Sequence, residues 1–327
     1  MDKEKIPAFT TNWPNLAAAR LGAAADSATD EFFGDKSRLL NEQEPVFIAD
    51  KYDEHGKWMD GWETRRRREP GHDHCVIRLA TRGIIHGLDI DTRHFTGNYP
   101  QAASIDISDG PDGPWVEALG QLGLSGNHHH YLPLSGVGPA THVRLNIYPD
   151  GGIARFRVYG EPVFDWSQVP SEAEIELSAF AHGGRIIAYN DAHYGSPWAI
   201  LTPGRGVDMG DGWETRRRRS PGNDWIIVSL GTTGRINRIE VDTAHFKGNY
   251  PGACSISAAL MADGTEATWA EAAEEWPVLL PKKELGADAI HEFYRDSLEE
   301  VGEVNAVRLN IYPDGGVSRF RLFGTKS

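Results

Sequence analysis

The chain has 327 residues, of which 40% are hydrophobic and 24% charged, a balance that fits a soluble globular protein of about two domains. Its net charge of −14 opposes phosphate binding, so nucleic acid is excluded as a partner. No apolar run is long enough to span a bilayer, and residues 1–10 carry no apolar leader, so no membrane partner is expected and the expected location is cytoplasmic. Two cysteines, Cys75 and Cys254, do not occupy corresponding places in the repeats described next, which reads as buried thiols and not a disulfide framework.

Nine residues organise the chain. The run 60–68, Asp-Gly-Trp-Glu-Thr-Arg-Arg-Arg-Arg, returns unchanged at 211–219, a spacing of 151, and a Pro-Gly follows each copy. The unit is therefore duplicated. Ahead of it lies a lead segment, 1–25, whose alanine-rich part from Asn15 to Ala25 predicts a short helix. The repeats are assigned to 26–163 and 172–327, with the proline-containing stretch 164–171 as linker. Residues 30–40 match 191–201 at a spacing of 161, so the first copy holds ten extra residues in the polar stretch 41–59, read as a loop.

Short β-branched blocks follow. Cys75 to Leu79 corresponds to Trp225 to Leu230, and Ile84 to Asp91 to Arg235 to Asp242. The turn Asp91-Thr92-Arg93-His94-Phe95-Thr96-Gly97-Asn98-Tyr99-Pro100 reappears at 242–251, and a further strand, 103–108, has its counterpart at 254–258. The next stretch is longer by 13 residues in the second copy, as one insertion between Trp269 and Asn305, with helical character near Trp269 and Leu285. Each copy closes on Val-Arg-Leu-Asn-Ile-Tyr-Pro-Asp-Gly-Gly at 143–152 and 307–316. Val143, Leu145 and Ile147 alternate with Arg144, Asn146 and Tyr148 as in a strand with one buried face, and Pro-Asp-Gly-Gly is a turn. Seven or eight short strands per copy predict an all-β protein of two tandem antiparallel β-sandwiches, of jelly-roll type.

The four-arginine blocks are expected to enter a strand, where Arg65 and Arg67 share one face and Arg66 and Arg68 the other. Their guanidinium groups serve either protein carboxylates or a ligand carboxylate or ureido oxygen. Glu63 and Glu214 beside them are either ion-paired or acid–base groups. Asp91 and His94, like Asp242 and His245, are three apart, so the carboxylate can fix the imidazole tautomer; the alternative is that the loop only shapes a turn. His128-His129-His130 could ligate metal or be solvated loop histidines, and the equivalent stretch of the second copy holds His291; no metal-ligand spacing appears, nor a nucleophile elbow, a phosphate loop or a dinucleotide fingerprint.

The strings 58–68, 91–100 and 141–152 resemble the allantoicase family over nearly the whole chain. One departure is His74, where tryptophan is expected, as at Trp225. The resemblance implies tandem jelly rolls of the galactose-binding type and conversion of allantoate and water to ureidoglycolate and urea in purine breakdown. The alternatives are a non-catalytic carbohydrate-binding or small-ligand jelly roll, or a related ureide hydrolase. The resemblance brings no set of catalytic residues, so the assignment rests on residue types that both repeats supply. Glu63, Asp91, His94, Glu214, Asp242 and His245 are the catalytic candidates. Arg66, Arg67, Asn98, Tyr99, Arg144, Arg217, Arg218, Asn249, Tyr250 and Arg308 are the substrate-binding ones. No cofactor and no metal are assigned, a divalent metal remaining open. Outward aromatic side chains such as Tyr148, Tyr312 and Phe323 predict homo-oligomerisation.

Overall fold

The computed structural model describes residues 6–327 with the exception of Asp263, and the chain divides into two compact units, residues 1–163 and 164–327. In the first unit the strands are β1 (Ala24–Ala28), β2 (Tyr52–Asp53), β3 (Gly56–Lys57), β4 (Trp62–Glu63), β5 (Asp73–Asp91), β6 (Ala102–Ser108), β7 (Val116–Gly123), β8 (His129–Tyr148), β9 (Gly152–Ile153) and β10 (Arg155–Pro162). Pairing is antiparallel throughout, in the order β1-β5-β8-β6-β7 with β10 on β5. The pairing register of β5 shifts between Arg78 and Gly83. Its first half lies between β1 and the end of β8; its second half lies between β10 and the start of β8. Long strands that change sheets in this way make the two layers of a jelly roll. Val143, Leu145 and Ile147 point into the core between the layers, while Arg144 and Tyr148 face outward, as the alternation requires.

The second unit repeats the plan with β11 (Ile175–Glu176), β12 (Arg185–Tyr189), β13 (Tyr194–Gly195), β14 (Trp213–Glu214), β15 (Asp224–Asp242), β16 (Ala253–Ala259), β17 (Val278–Glu284), β18 (Ile290–Tyr294), β19 (Val304–Tyr312), β20 (Gly316–Val317) and β21 (Arg319–Lys326). The extra residues of this copy divide between two connections, contrary to the single insertion expected. Gly123 and Glu284 both close on the first residue of the preceding strand, a spacing of 161. Ten extra residues therefore precede β17, and three more precede β19. Within the ten, the helix α1 (Trp269–Ala272) forms, whereas Leu285 follows a strand and is not helical.

The lead segment also differs from expectation. Asn15 to Ala25 is not an α-helix: Ala19–Leu21 is a single 3-10 turn ended by left-handed Gly22, and β1 then joins the sheet. Phe180–His182, ended by left-handed Gly183, matches it in the second unit. Leu16, Ala17 and Leu21 are buried, so this segment belongs to the first sandwich.

Candidate functional site

The duplicated block is strand only at Trp62–Glu63 and Trp213–Glu214, paired with β9 and β20. Each tryptophan is buried and its indole N–H donates to the carbonyl of Asp30 or Asp191 at 2.8 Å. The arginines that follow are in irregular extended chain and not in a strand, yet their partners still alternate. Arg65 is held by Asp30 and Arg216 by Asp191. Arg67 donates its backbone N–H to Asp150 and its guanidinium to Asp73, and Arg218 does the same with Asp314 and Asp224. Arg66 and Arg217 are exposed, with no hydrogen bond or ion pair among the described residues. Arg67 and Arg218 are thus committed to the fold, and Arg66 and Arg217 are free for a ligand.

Glu63 is a buried acid of the first unit, 9% exposed, and its Oε1 accepts from Asn98 Nδ2 at 2.6 Å. Burial raises its carboxyl above the ordinary value; the Asn98 bond opposes this and the charge of Asp53 reinforces it. Glu214 and Asn249 repeat the pair at 2.5 Å in a half-buried setting. The asparagines reach the glutamates because the 91–100 and 242–251 turns fold back over the end of the sandwich. There the carbonyls of Asn98 and Asn249 also accept from Gly152 and Gly316. A side chain at Gly151, with φ of 139°, would meet Pro100 N at 2.6 Å, which explains the glycine in the closing turn.

His94 and His245 both sit at φ of 69°, a left-handed conformation uncommon for a side-chain-bearing residue. Their backbone N–H groups donate to Asn127 and Asp288, themselves left-handed. The ring Nε2 of His94 lies 3.0 Å from the Pro45 carbonyl and that of His245 lies 2.7 Å from the Gly206 carbonyl. A carbonyl only accepts, so Nε2 carries the proton and the neutral ring keeps its lone pair on Nδ1.

The expected partner of each histidine is engaged elsewhere. Asp91 is fully buried and accepts from the Arg93 N–H and guanidinium, and Asp242 accepts from Ala244 N–H at 2.7 Å. Backbone carbonyls, not aspartates, set the histidine tautomers.

The remaining candidates fall into separate settings. Tyr99 packs on Met59, Phe95 and Ala154, and Tyr250 is half-buried. Arg144 lies on the outer sheet face, bound to Asp106 and stacked over Trp115, while Arg308 is bound to Asn310 and Glu274. His130 and His291 pin loops, each donating Nδ1–H to a strand carbonyl and accepting a backbone N–H at Nε2. His129 faces buried Asp89, whose charge raises the imidazole against the effect of burial. Among the described residues no three His, Cys, Asp or Glu side chains group as metal ligands. A cavity of about 530 Å³, lined by Ser108, Asp109, Glu117 and Pro139, lies at the opposite end of β6 from the 91–100 turn and holds none of the duplicated side chains.

Sequence reasoning passed over the buried pairs Asp60–Arg155 and Asp211–Arg319, at 2.7 and 2.8 Å. Burial disfavours the Asp60 charge, but Arg155, the Val46 N–H and Arg38 outweigh it and hold the carboxyl below its usual range. These arginines also bind the carbonyls of Gln43 and Gly204, so each pair anchors the segment that covers the histidine.

The duplicated geometry matches a known repeat. The allantoicase-repeat family model covers residues 14–163 and 175–327. The chain belongs to the allantoicase family. A probable allantoicase 2 of Burkholderia pseudomallei is 54% identical over 324 residues, covering 97% of this chain and 96% of that protein. A probable allantoicase of Photobacterium profundum is 52% identical, with 96% of each covered. The crystal structure of allantoicase from Saccharomyces cerevisiae superposes with a TM-score of 0.80 at 33% identity, over 97% of this chain and 95% of that one.

Proposed function

We propose that the protein hydrolyses allantoate to ureidoglycolate and urea in purine breakdown, through the Glu63–Asn98 pair and His94. Membership of the allantoicase family supports the reaction. The observation that carries the residue roles is the recurrence of one acid–amide pair and one tautomer-fixed histidine at the same place in both repeats.

The bond to be broken joins a tetrahedral carbon to a ureido nitrogen. A buried glutamic acid whose carboxyl is held above its ordinary value by burial is the better proton donor for departure of urea. With Asn98 on Oε1, the proton of Glu63 belongs on Oε2, from which it passes to the leaving nitrogen. The remaining ureido nitrogen supplies the electron pair and gives up its N–H proton to His94 Nδ1, leaving an acyl-imine. Water then adds to the imine carbon. Its proton returns to Glu63, and His94 returns its own to the imine nitrogen, so both groups are restored. Arg66, free of protein carboxylates, is the residue for the substrate carboxylate, where a guanidinium gives a two-pronged grip.

The test is urea release from allantoate, with ureidoglycolate and allantoin as comparison substrates. Glu63→Gln and His94→Ala are each expected to lower turnover by roughly 10²-fold or more. Parent rates in both would remove these roles. We also propose that no metal takes part: prolonged chelation followed by gel filtration should leave urea release unchanged, and loss restored by a divalent cation would overturn this. A cytoplasmic location and association of copies complete the proposal. The first is supported by two free, buried thiols. The second is supported by exposed apolar side chains at Val46, Ile48, Tyr52, Val207 and Met209.

A further inference from the structure

The segments covering His94 and His245 are anchored alike. The amides of Val46 and Val207 donate to Asp60 and Asp211 at 3.0 and 3.1 Å. Between these fixed points the second repeat has residues 208–210 and the first has 47–59. The ten extra residues form an arm ending in the β2–β3 hairpin, with Tyr52 opposite Lys57, Asp53 opposite Gly56, and Glu54 and His55 at the tip. The arm is braced internally. Trp58 N–H donates to the Lys51 carbonyl, Lys51 Nζ sits 3.5 Å from the Trp58 ring centre, and Lys57 Nζ binds the Ile48 and Ala49 carbonyls.

The arm reaches both halves of the site. At its root, Phe47 stacks on His94 with ring centres 6.0 Å apart. At its tip, the His55 ring lies 4.2 Å from Phe32. The next two residues after Phe32, Phe33 and Gly34, both donate backbone N–H to the Glu63 carbonyl at 3.2 Å. Asp53 is near enough for its charge to act on Glu63. The second repeat has His193 in place of Phe32 and no arm, and Met209 Sδ stands 3.9 Å from Asn249 Nδ2.

We propose that the arm 47–59 completes the substrate site of the first repeat, with Asp53 and His55 as positioning residues, and that turnover belongs chiefly to that repeat. This rests on the assignment of Glu63 and His94 above. A substrate with two ureido groups presents several N–H donors, for which the Asp53 carboxylate is an acceptor. The arm also screens from bulk water an acyl-imine that must meet a single water in place.

The experiment replaces residues 47–59 with Asp-Met-Gly, the sequence of 208–210, in the full chain. In the second repeat this connection spans the corresponding Asp211–Arg319 anchor. Urea release is expected to fall about 10²-fold, the scale of lost substrate positioning, with the thermal midpoint kept. Asp53→Asn, which leaves the fold intact if the graft does not, is expected to move the alkaline limb of the rate–pH profile to lower pH. A purely structural role would leave that limb in place. Glu63→Gln is expected to lose at least roughly tenfold more activity than Glu214→Gln, given the loss expected for an acid group. Full activity in the graft, an unmoved limb in Asp53→Asn, or equal losses in the two glutamine variants would overturn the proposal. If Glu63→Gln alone keeps the parent rate, the acid assignment falls, and the graft still decides the arm.

Discussion

Glu63 shows how a single residue trades stability for chemistry. Its carboxyl is raised by burial and by Asp53 above its ordinary 4.5. The folded protein therefore binds that proton more tightly than the unfolded chain does. Between the ordinary value and the raised one the native state holds more protons, so stability falls as pH climbs through this window. Glu63→Gln removes the titration while keeping a hydrogen-bonding group against Asn98. Denaturant unfolding at pH 5 and pH 8 should show a smaller loss of stability with rising pH in the variant than in the parent, and no lower stability at pH 8. An unchanged pH dependence would mean that Glu63 titrates alike in both states. The sequence made Glu63, His94 and Asn98 visible because each recurs at a fixed spacing. It did not show that Asp91 serves Arg93, because an aspartate bonded to residue i+2 and one bonded to residue i+3 have the same spelling. Asp60–Arg155 was hidden for another reason: the partners are 95 residues apart, and only the folded chain joins them.

At the scale of elements, the strands were legible wherever one face is buried, as at Val143, Leu145 and Ile147. The bend of β5 between Arg78 and Gly83 was not, since pairing partners and not local pattern decide where a strand changes sheets. The arm 47–59 read as a polar loop because a two-residue pairing leaves no periodic trace. The insertion before β17 has a legible cause only in retrospect. Trp269 and Trp276 pack with Ala273 on Ile227 and Ala306, forming a second apolar cluster on the outer face of that sheet. The corresponding first-repeat positions are Val76 and His142. Trp225 packs against this cluster, and His74 stands at its place in the first repeat. Trp269, 2% exposed, should carry much of the cap: Trp269→Ala is expected to cost about 3–5 kcal/mol in denaturant unfolding. A cost below about 1 kcal/mol, the range of ordinary surface changes, would show the cap to be dispensable.

At the scale of the molecule, duplication supplies two sandwiches with separate cores and two copies of the same polar constellation, while the acidic surface carries two local arginine runs. The aromatic side chains expected to drive association are covered within their own units. Tyr148 OH bonds Ser104, Tyr312 OH bonds Ser255 and lies under Lys282, and the Phe323 ring lies 3.7 Å from the Arg238 guanidinium. Other apolar side chains are left in water, some dispersed, as at Val116, Leu260 and Tyr294, and some on the covering segments: Val46, Ile48 and Tyr52 in the first repeat, Val207 and Met209 in the second. Scattered exposed apolar residues are ordinary, but those on the covering segments recur at the same structural position in both repeats, which is the arrangement of a contact surface. Sedimentation at micromolar concentration is therefore expected to give a mass above that of one chain. Val207 is 76% exposed and its side chain supports no core, so Val207→Asp should leave the melting of the isolated chain intact while weakening association. If the parent sediments as a single chain, the exposed apolar residues have another purpose; if the parent associates and Val207→Asp associates equally well, the contact lies on a different face.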